Sequence, residues 1–136
     1  MKAYLSHPIR SRAGDAATDE EMLANNKKAI EVGNELRKRC PELSLYIPAE
    51  MDLFLLGRGI EPIKIGEAVI LAMDCKVLEQ CDTLFVYMPD DYISGGMKIE
   101  INHATLEGMQ VFRFSEVSDE VVRTINYLIK RNTKEN

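Results

Sequence analysis

The sequence contains no tryptophan, only three cysteines and no long uninterrupted apolar segment. A helix that spans a bilayer needs about 18–20 apolar residues, so no membrane-spanning helix is predicted. The first residues of the chain, 1–6, also lack the layout of a secretory signal peptide. We therefore expect a soluble, cytoplasmic protein without a membrane partner.

Cysteine and histidine are too scarce for most metal or disulfide frameworks. Cys40, Cys75 and Cys81 are odd in number and form no C-x-x-C pair, and only His7 and His103 could join them at a metal site. We expect free thiols that are buried or half-buried, and we expect no metal and no cofactor.

The chain also lacks an excess of basic residues. Seventeen Lys and Arg against twenty-two Asp and Glu leave a formal charge of −5, which argues against a nucleic-acid polymer or an anionic membrane as the main partner. The 136 residues, 46% of them hydrophobic, are predicted to form a single domain over 1–136 with a core of ordinary size. The polar tail, 131–136, is expected to fray.

Short apolar segments alternate with segments of helical periodicity. The pattern predicts strands at 3–5, 43–47, 83–88 and 110–114, and helices at 18–39, 65–80, 97–107 and 118–130. The apolar segment 48–62 is irregular and predicts either a short helix with loops or the wall of a pocket. This alternation predicts an α/β fold of three layers, Rossmann-like or flavodoxin-like, with four to five mainly parallel strands. Ligands of such sheets bind beyond the carboxyl ends of the strands, here after Leu5, Ile47 and Met88.

A pair of glycines opens the helix that follows the most apolar predicted strand. Ser94, Gly95 and Gly96 would let the backbone approach a ligand, and a helix N-terminus offers free N–H groups to an anion. The segment is neither a Walker loop nor a G-x-G-x-x-G motif, so a simple strand-to-helix turn explains the same residues.

Two carboxylates interrupt apolar helical faces. Glu100 lies three residues after Met97 and four before Ala104, and Asp74 directly follows Met73. Carboxylates are rarely buried without a partner or a task. Two of them at one cleft can divide the work of glycosyl transfer: one stays ionised as a nucleophile, and the other positions a hydroxyl or handles a proton. A glutamate at the rim, paired with a nearby base, is the structural alternative.

The loop after the first predicted strand carries His7, Arg10 and Arg12. Arginines beside a strand end in an acidic protein suit a phosphate or carboxylate group. Solvated loop charges and a structural histidine are the alternatives.

Three blocks of residues together resemble a known family. They are YLSHPIR at 4–10, Asp74 with CDTLFV at 81–86, and SGGMKIE at 94–100. Their order and spacing resemble the nucleoside 2-deoxyribosyltransferase superfamily, which also contains 2′-deoxynucleoside 5′-phosphate N-hydrolases. The resemblance covers residues 2–115.

This resemblance implies a role for each matched residue. Glu100 would be the nucleophile that attacks C1′, Tyr4 would hold that nucleophile, and Asp74 would lie near the nucleobase. Ser94 and the amides of Gly95 and Gly96 would contact the 5′ side of the sugar, and Arg10 would match the arginine that ends the first block, with His7 beside it. The resemblance also implies a homodimer or larger homo-oligomer with shared active sites.

The resemblance implies cleavage of the N-glycosidic bond of 2′-deoxynucleosides or their 5′-monophosphates, through a glycosyl–Glu100 intermediate. The partners would be a small nucleoside or nucleotide and, for base exchange, a free nucleobase. Transfer and hydrolysis share the first half-reaction, and the sequence leaves both open. A non-catalytic nucleotide sensor that uses the same cleft is the alternative. A flavodoxin-like redox domain is disfavoured because the chain lacks tryptophan and a flavin-phosphate loop.

Overall fold

A parallel sheet of four strands lies at the centre of the computed structural model, which describes residues 1–61 and 65–135. The strands are β1 (Lys2–Ser6), β2 (Ser44–Tyr46), β3 (Thr83–Tyr87) and β4 (Gln110–Phe114), in the order β2-β1-β3-β4. The helices are α1 (Asp19–Arg39), α2 (Pro48–Gly57), α3 (Glu67–Leu78), α4 (Gly95–Leu106) and α5 (Asp119–Glu135), with a 3₁₀ turn at Ser11–Ala16. The predicted α/β fold is confirmed.

Helices cover both faces of the sheet and make it the middle of three layers. Ala3 and Leu5 of β1 pack into a core shared with α1 and α5, whereas Tyr4 packs into a second core with α3 and α4. The alternation follows from the two-residue period of a strand. Because β1 and β3 are the inner strands, their side chains are buried on both faces, and this explains the continuous apolar run at 83–87.

Several helix boundaries agree with the pattern of the sequence. Thr18 caps α1 by accepting a hydrogen bond from the Glu21 N–H at 3.1 Å, and the helix ends at Arg39 before Pro41. The last helix is longer than predicted, because α5 continues through Glu135, and residues 131–135 of the predicted frayed tail are helical. No glycine or proline follows Ser118, so nothing in the backbone stops this helix.

The irregular apolar segment forms the helix α2, with Pro48 in its first turn. Proline has no N–H and a fixed φ, which suits this position. Gly59 follows in the left-handed region with φ 76°, and the predicted end of the segment, Pro62, lies outside the described residues. Among the helices of residues 1–61 and 65–135, none is long and apolar enough to cross a membrane.

Candidate active site

The carboxyl end of β1 carries two polar side chains on the face that α3 and α4 cover. Tyr4 and Ser6 are two residues apart, so they point to the same side of the sheet, and both are fully buried. The Ser6 hydroxyl donates a hydrogen bond of 2.8 Å to Oε1 of Glu100 on α4. The central strand therefore fixes one oxygen of the carboxylate.

Glu100 is buried because of where α4 begins. Ser94 caps the helix by accepting a 3.3 Å hydrogen bond from the Met97 N–H, and helical spacing then puts Met97, Glu100 and Ala104 on the buried face. Only 6% of Glu100 is exposed. Burial raises its pKa from 4.5 to about 7, the charge of Asp74 adds to the rise, and hydrogen bonding from Tyr4 and Ser6 opposes it.

Tyr4 completes the wall around this carboxylate. Burial and the charges of Glu100 and Asp74 raise its pKa far above the usual value, so the phenol stays protonated. Its hydroxyl lies near Glu100, but its alignment gives it no hydrogen-bond partner of good geometry among the described residues. The Tyr4 ring packs on Tyr46 at 5.3 Å between centroids and 36° between planes.

Asp74 lies on α3 beside the end of β2. Tyr46 Oη donates a long hydrogen bond of 3.4 Å to Asp74 Oδ1. Burial and the charge of Asp52 raise the pKa of Asp74 to about 6, and the hydrogen bond from Tyr46 opposes the rise. The structure therefore brings Tyr4, Asp74 and Glu100 together from three different elements.

The other predicted ligand-binding residues lie in two segments, one after β1 and one after β3. Gly95 and Gly96 form the exposed first turn of α4 beside Ser94, and a Cβ at either glycine would meet no atom within 4 Å. Arg10 pairs with the exposed Asp15 at 3.0 Å. Backbone N–H groups at this helix end are therefore open to a ligand, whereas the guanidinium of Arg10 already has a partner.

His7 and Arg12 make no described contact with Glu100. His7 is buried, and burial lowers its pKa from 6.5 to about 4; neither ring nitrogen has a partner of good hydrogen-bond geometry among the described residues. Arg12 lies over the ring of Tyr92 at 5.0 Å and donates to the Asp90 carbonyl at 3.2 Å. It thus links the loop after β1 to the loop after β3.

Sequence reasoning missed three residues of the site: Ser6, Tyr46 and Asp52. The first could have been found, because it lies two residues after Tyr4 on the same strand face. Tyr46 ends a strand whose following loop was already nominated. Asp52 gave no signal, since it lies in the segment that the periodicity left irregular.

One group of metal-ligating side chains lies apart from this site, at the ends of α3 and α4. Ligand atoms of Glu79, His103 and Glu107 all lie within 4.8 Å of one another, and His103 Nε2 is 2.9 Å from Glu79 Oε1. The contact between Glu79 and His103 links the ends of the two helices, and this link is enough to explain why the side chains lie close together. Cys40 is a buried free thiol, and Cys75 and Cys81 are half-buried ones, as predicted.

Comparison with known proteins supports the α/β fold. A family described as a domain of unknown function (DUF7768) matches residues 66–114, the segment that includes Asp74 and Glu100. No curated protein matches the chain. The solved structure of a 2-deoxyribosyltransferase from Bacillus psychrosaccharolyticus is similar, with a TM-score of 0.53 and 20% identity over 90% of this chain and 80% of that chain. The chain thus shares the α/β fold of that enzyme.

Proposed function

We propose that this protein cleaves the N-glycosidic bond of 2′-deoxynucleosides or their 5′-monophosphates, with Glu100 as the nucleophile. The observation that carries the proposal is a buried carboxylate, 6% exposed, held by Ser6 and facing a second carboxylate, Asp74. No lysine, arginine or histidine of the described residues pairs with either group. An anionic pocket of this kind suits a transition state with positive charge on a sugar carbon.

In the proposed first step, an oxygen of Glu100 bonds to C1′ as the C1′–N bond breaks. The bonding electrons pass to the base nitrogen, which takes a proton from Asp74. In the second step a water or a second nucleobase attacks C1′, the ester to Glu100 breaks, and Asp74 recovers the proton. The Tyr4 hydroxyl, which lies near Glu100 and acts on its pKa, would orient the nucleophile, in keeping with the resemblance.

The two carboxyl groups predict a pH optimum slightly below neutrality. The step needs Glu100 ionised and Asp74 protonated, with pKa values of about 7 and about 6. The fraction of molecules in that state is greatest between these two pKa values and falls on either side. We therefore expect a bell-shaped profile of kcat/KM with its maximum between about pH 6 and 7. A profile that is flat from pH 4 to 9 would contradict both roles.

The test is release of free base, followed by chromatography, from a panel of 2′-deoxynucleosides and their 5′-monophosphates. Each substrate is incubated with and without a second nucleobase. Release without an acceptor identifies a hydrolase, and exchange only with an acceptor identifies a transferase. A clear preference for monophosphates would support a 5′-phosphate at Ser94, Gly95 and Gly96, with Arg10 exchanging Asp15 for the phosphate.

Glu100→Ala is the informative variant, and Glu107→Ala, an exposed glutamate at the end of the same helix, is its matched control. We expect turnover to be lost in the first and kept in the second. If the wild-type protein binds a nucleotide but turns none over, and Glu100→Ala keeps the affinity, a non-catalytic sensor replaces the enzyme.

The same site supports a homo-oligomer with shared active sites. Helix α2 exposes Met51, Leu53, Phe54 and Leu56, and α3 exposes Val69 and Met73, each by 41–55%. Apolar patches of this kind usually mark an interface. These helices also carry Asp52 and Asp74, so a second copy seated on them would close the pocket.

Light scattering after gel filtration tests this assembly. We expect the wild-type chain to be a dimer or larger, and Phe54→Asp or Met73→Asp to dissociate it. Tyr127→Asp, an exposed aromatic residue on α5, serves as the control. A wild-type monomer at micromolar concentration would contradict the assembly.

A further inference from the structure

A third carboxylate extends the site beyond Asp74. Asp52 is half-buried on α2, and its charge acts on the Asp74 carboxyl and on the Tyr46 phenol. Among the groups that act on Glu100, only Asp74 is a carboxylate. Glu100 contacts the end of β1 through Ser6, and Asp74 contacts the end of β2 through Tyr46. Asp52 lies on α2, which directly follows β2, so it extends the site on the side away from the nucleophile.

No described partner satisfies Asp52. Its carboxylate takes part in no hydrogen bond or ion pair among the described residues, whereas Glu50, another half-buried carboxylate, pairs with Arg37 at 2.7 Å. Tyr46 already donates its hydroxyl to Asp74 Oδ1 at 3.4 Å. The far end of the site thus offers carboxylate oxygens as acceptors and lacks a described donor. Buried acceptors without donors are costly, so a ligand that supplies N–H groups gains the most there.

We propose that Asp52 is a specificity-determining residue that selects nucleobases with an exocyclic amine, as in 6-aminopurines and 4-aminopyrimidines. The inference rests on the proposed function, which puts the base at the Asp74 end. An exocyclic amine donates hydrogen to a carboxylate, and Asp and Glu accept from such amines in base recognition. A carbonyl at the same ring position would set its lone pairs against those of Asp52. The amine needs no change in the chemistry at C1′, because Asp74 and Glu100 keep their roles.

Matched substrate pairs isolate this contact. 2′-Deoxyadenosine has an amine at C6 of the purine where 2′-deoxyinosine has a carbonyl. 2′-Deoxycytidine has an amine at C4 of the pyrimidine where 2′-deoxyuridine has a carbonyl. A good pair of base contacts discriminates by about 1–3 kcal/mol, so we expect kcat/KM to favour the amine at least about five-fold. If monophosphates are the substrates, the same pairs are used as 5′-monophosphates.

Variants at position 52 separate recognition from folding. Asp52→Asn keeps the shape but adds an N–H donor, so it should turn over the carbonyl substrates better and shrink the preference about five-fold or more. Asp52→Glu keeps a carboxylate and should keep the direction of the preference. Asp91→Asn is the control, because Asp91 is exposed and its φ of 55° suits asparagine equally well.

The outcomes distinguish this inference from the proposed function. Base release with equal rates for amine and carbonyl, or a preference that Asp52→Asn leaves unchanged, overturns the inference and leaves the function standing. If no base is released, the proposed function fails, and calorimetric titration of 2′-deoxyadenosine against 2′-deoxyinosine decides the inference. At least about five-fold tighter binding of the amine, lost in Asp52→Asn, supports the inference. Equal affinity for the two, or no binding of either, overturns it.

Discussion

Replacing the buried carboxyl group of Glu100 by an amide should stabilise the folded protein, and more so at alkaline pH. The folded protein holds the pKa of Glu100 at about 7 against 4.5 for a free side chain. A carboxyl whose pKa is raised in the folded state hardly lowers the free energy of unfolding below pH 4.5, and lowers it progressively more as the pH rises towards 7. At about 1.36 kcal/mol for each unit of pKa, the full cost above pH 7 is about 3 kcal/mol. Glu100→Gln removes this cost, and its amide oxygen can still accept from Ser6.

Denaturant unfolding of the wild type and of Glu100→Gln at pH 5 and pH 8 measures this effect. We expect the variant to gain about 2–3 kcal/mol relative to the wild type between these two pH values. Because both proteins contain every other titrating group, including His7, only the titration of Glu100 differs between them. Glu107→Gln, an exposed glutamate near the end of α4, should show no such change. A difference between wild type and variant that does not depend on pH would refute the raised pKa and the burial that causes it.

Three further substitutions test individual contacts. Ser6→Ala removes a 2.8 Å hydrogen bond to Glu100, which is worth about 1.5–3 kcal/mol for a charged acceptor. Its loss raises the pKa of Glu100, so kcat/KM at pH 7 should fall about five-fold or more. Ser6→Thr is the control, because it keeps the hydroxyl. Gly33→Ala should lower the free energy of unfolding by about 1–3 kcal/mol, because its Cβ would collide with Cδ1 of Ile47. Gly57→Ala should leave the free energy of unfolding unchanged, because no atom lies within 4 Å of a Cβ there. Ile47→Val should restore the stability of Gly33→Ala. Arg37→Lys breaks the paired hydrogen bonds to Glu50 at 2.7 and 3.0 Å and should cost about 1 kcal/mol in denaturant unfolding, whereas Arg123→Lys on the exposed face of α5 should cost nothing measurable.

Local signals in the sequence were sufficient for most of the fold. Thr18 with Glu21 marked the start of α1, and the apolar run at 83–87 marked a strand buried on both faces. Helix α2 could not be predicted with the same certainty, because its own apolar residues point to every side of the helix and show no periodicity. Its exposed apolar residues are those that a second copy covers in the proposed assembly.

The candidate site was predictable in part. Glu100 and Asp74 stood out as carboxylates on apolar faces, and the structure places both beside Tyr4. Tyr46 and Asp52 reach the site through the strand order, since β2 pairs with β1, ends with Tyr46 at the same edge and is followed directly by α2 with Asp52. That juxtaposition is a property of the tertiary structure, and no local pattern encodes it.

The hydrogen bond between Ser6 and Glu100 joins residues that are 94 positions apart, and this separation has a consequence for biosynthesis. The contact forms only after β1 has paired with β3 and α4 has packed on the sheet, and closing so long a loop makes such a contact late in folding. During translation Ser6 is therefore made long before its partner, and the buried carboxylate cannot take its place until α4 has been made. A nascent or truncated chain that ends before α4 lacks the carboxylate on which the proposed activity depends.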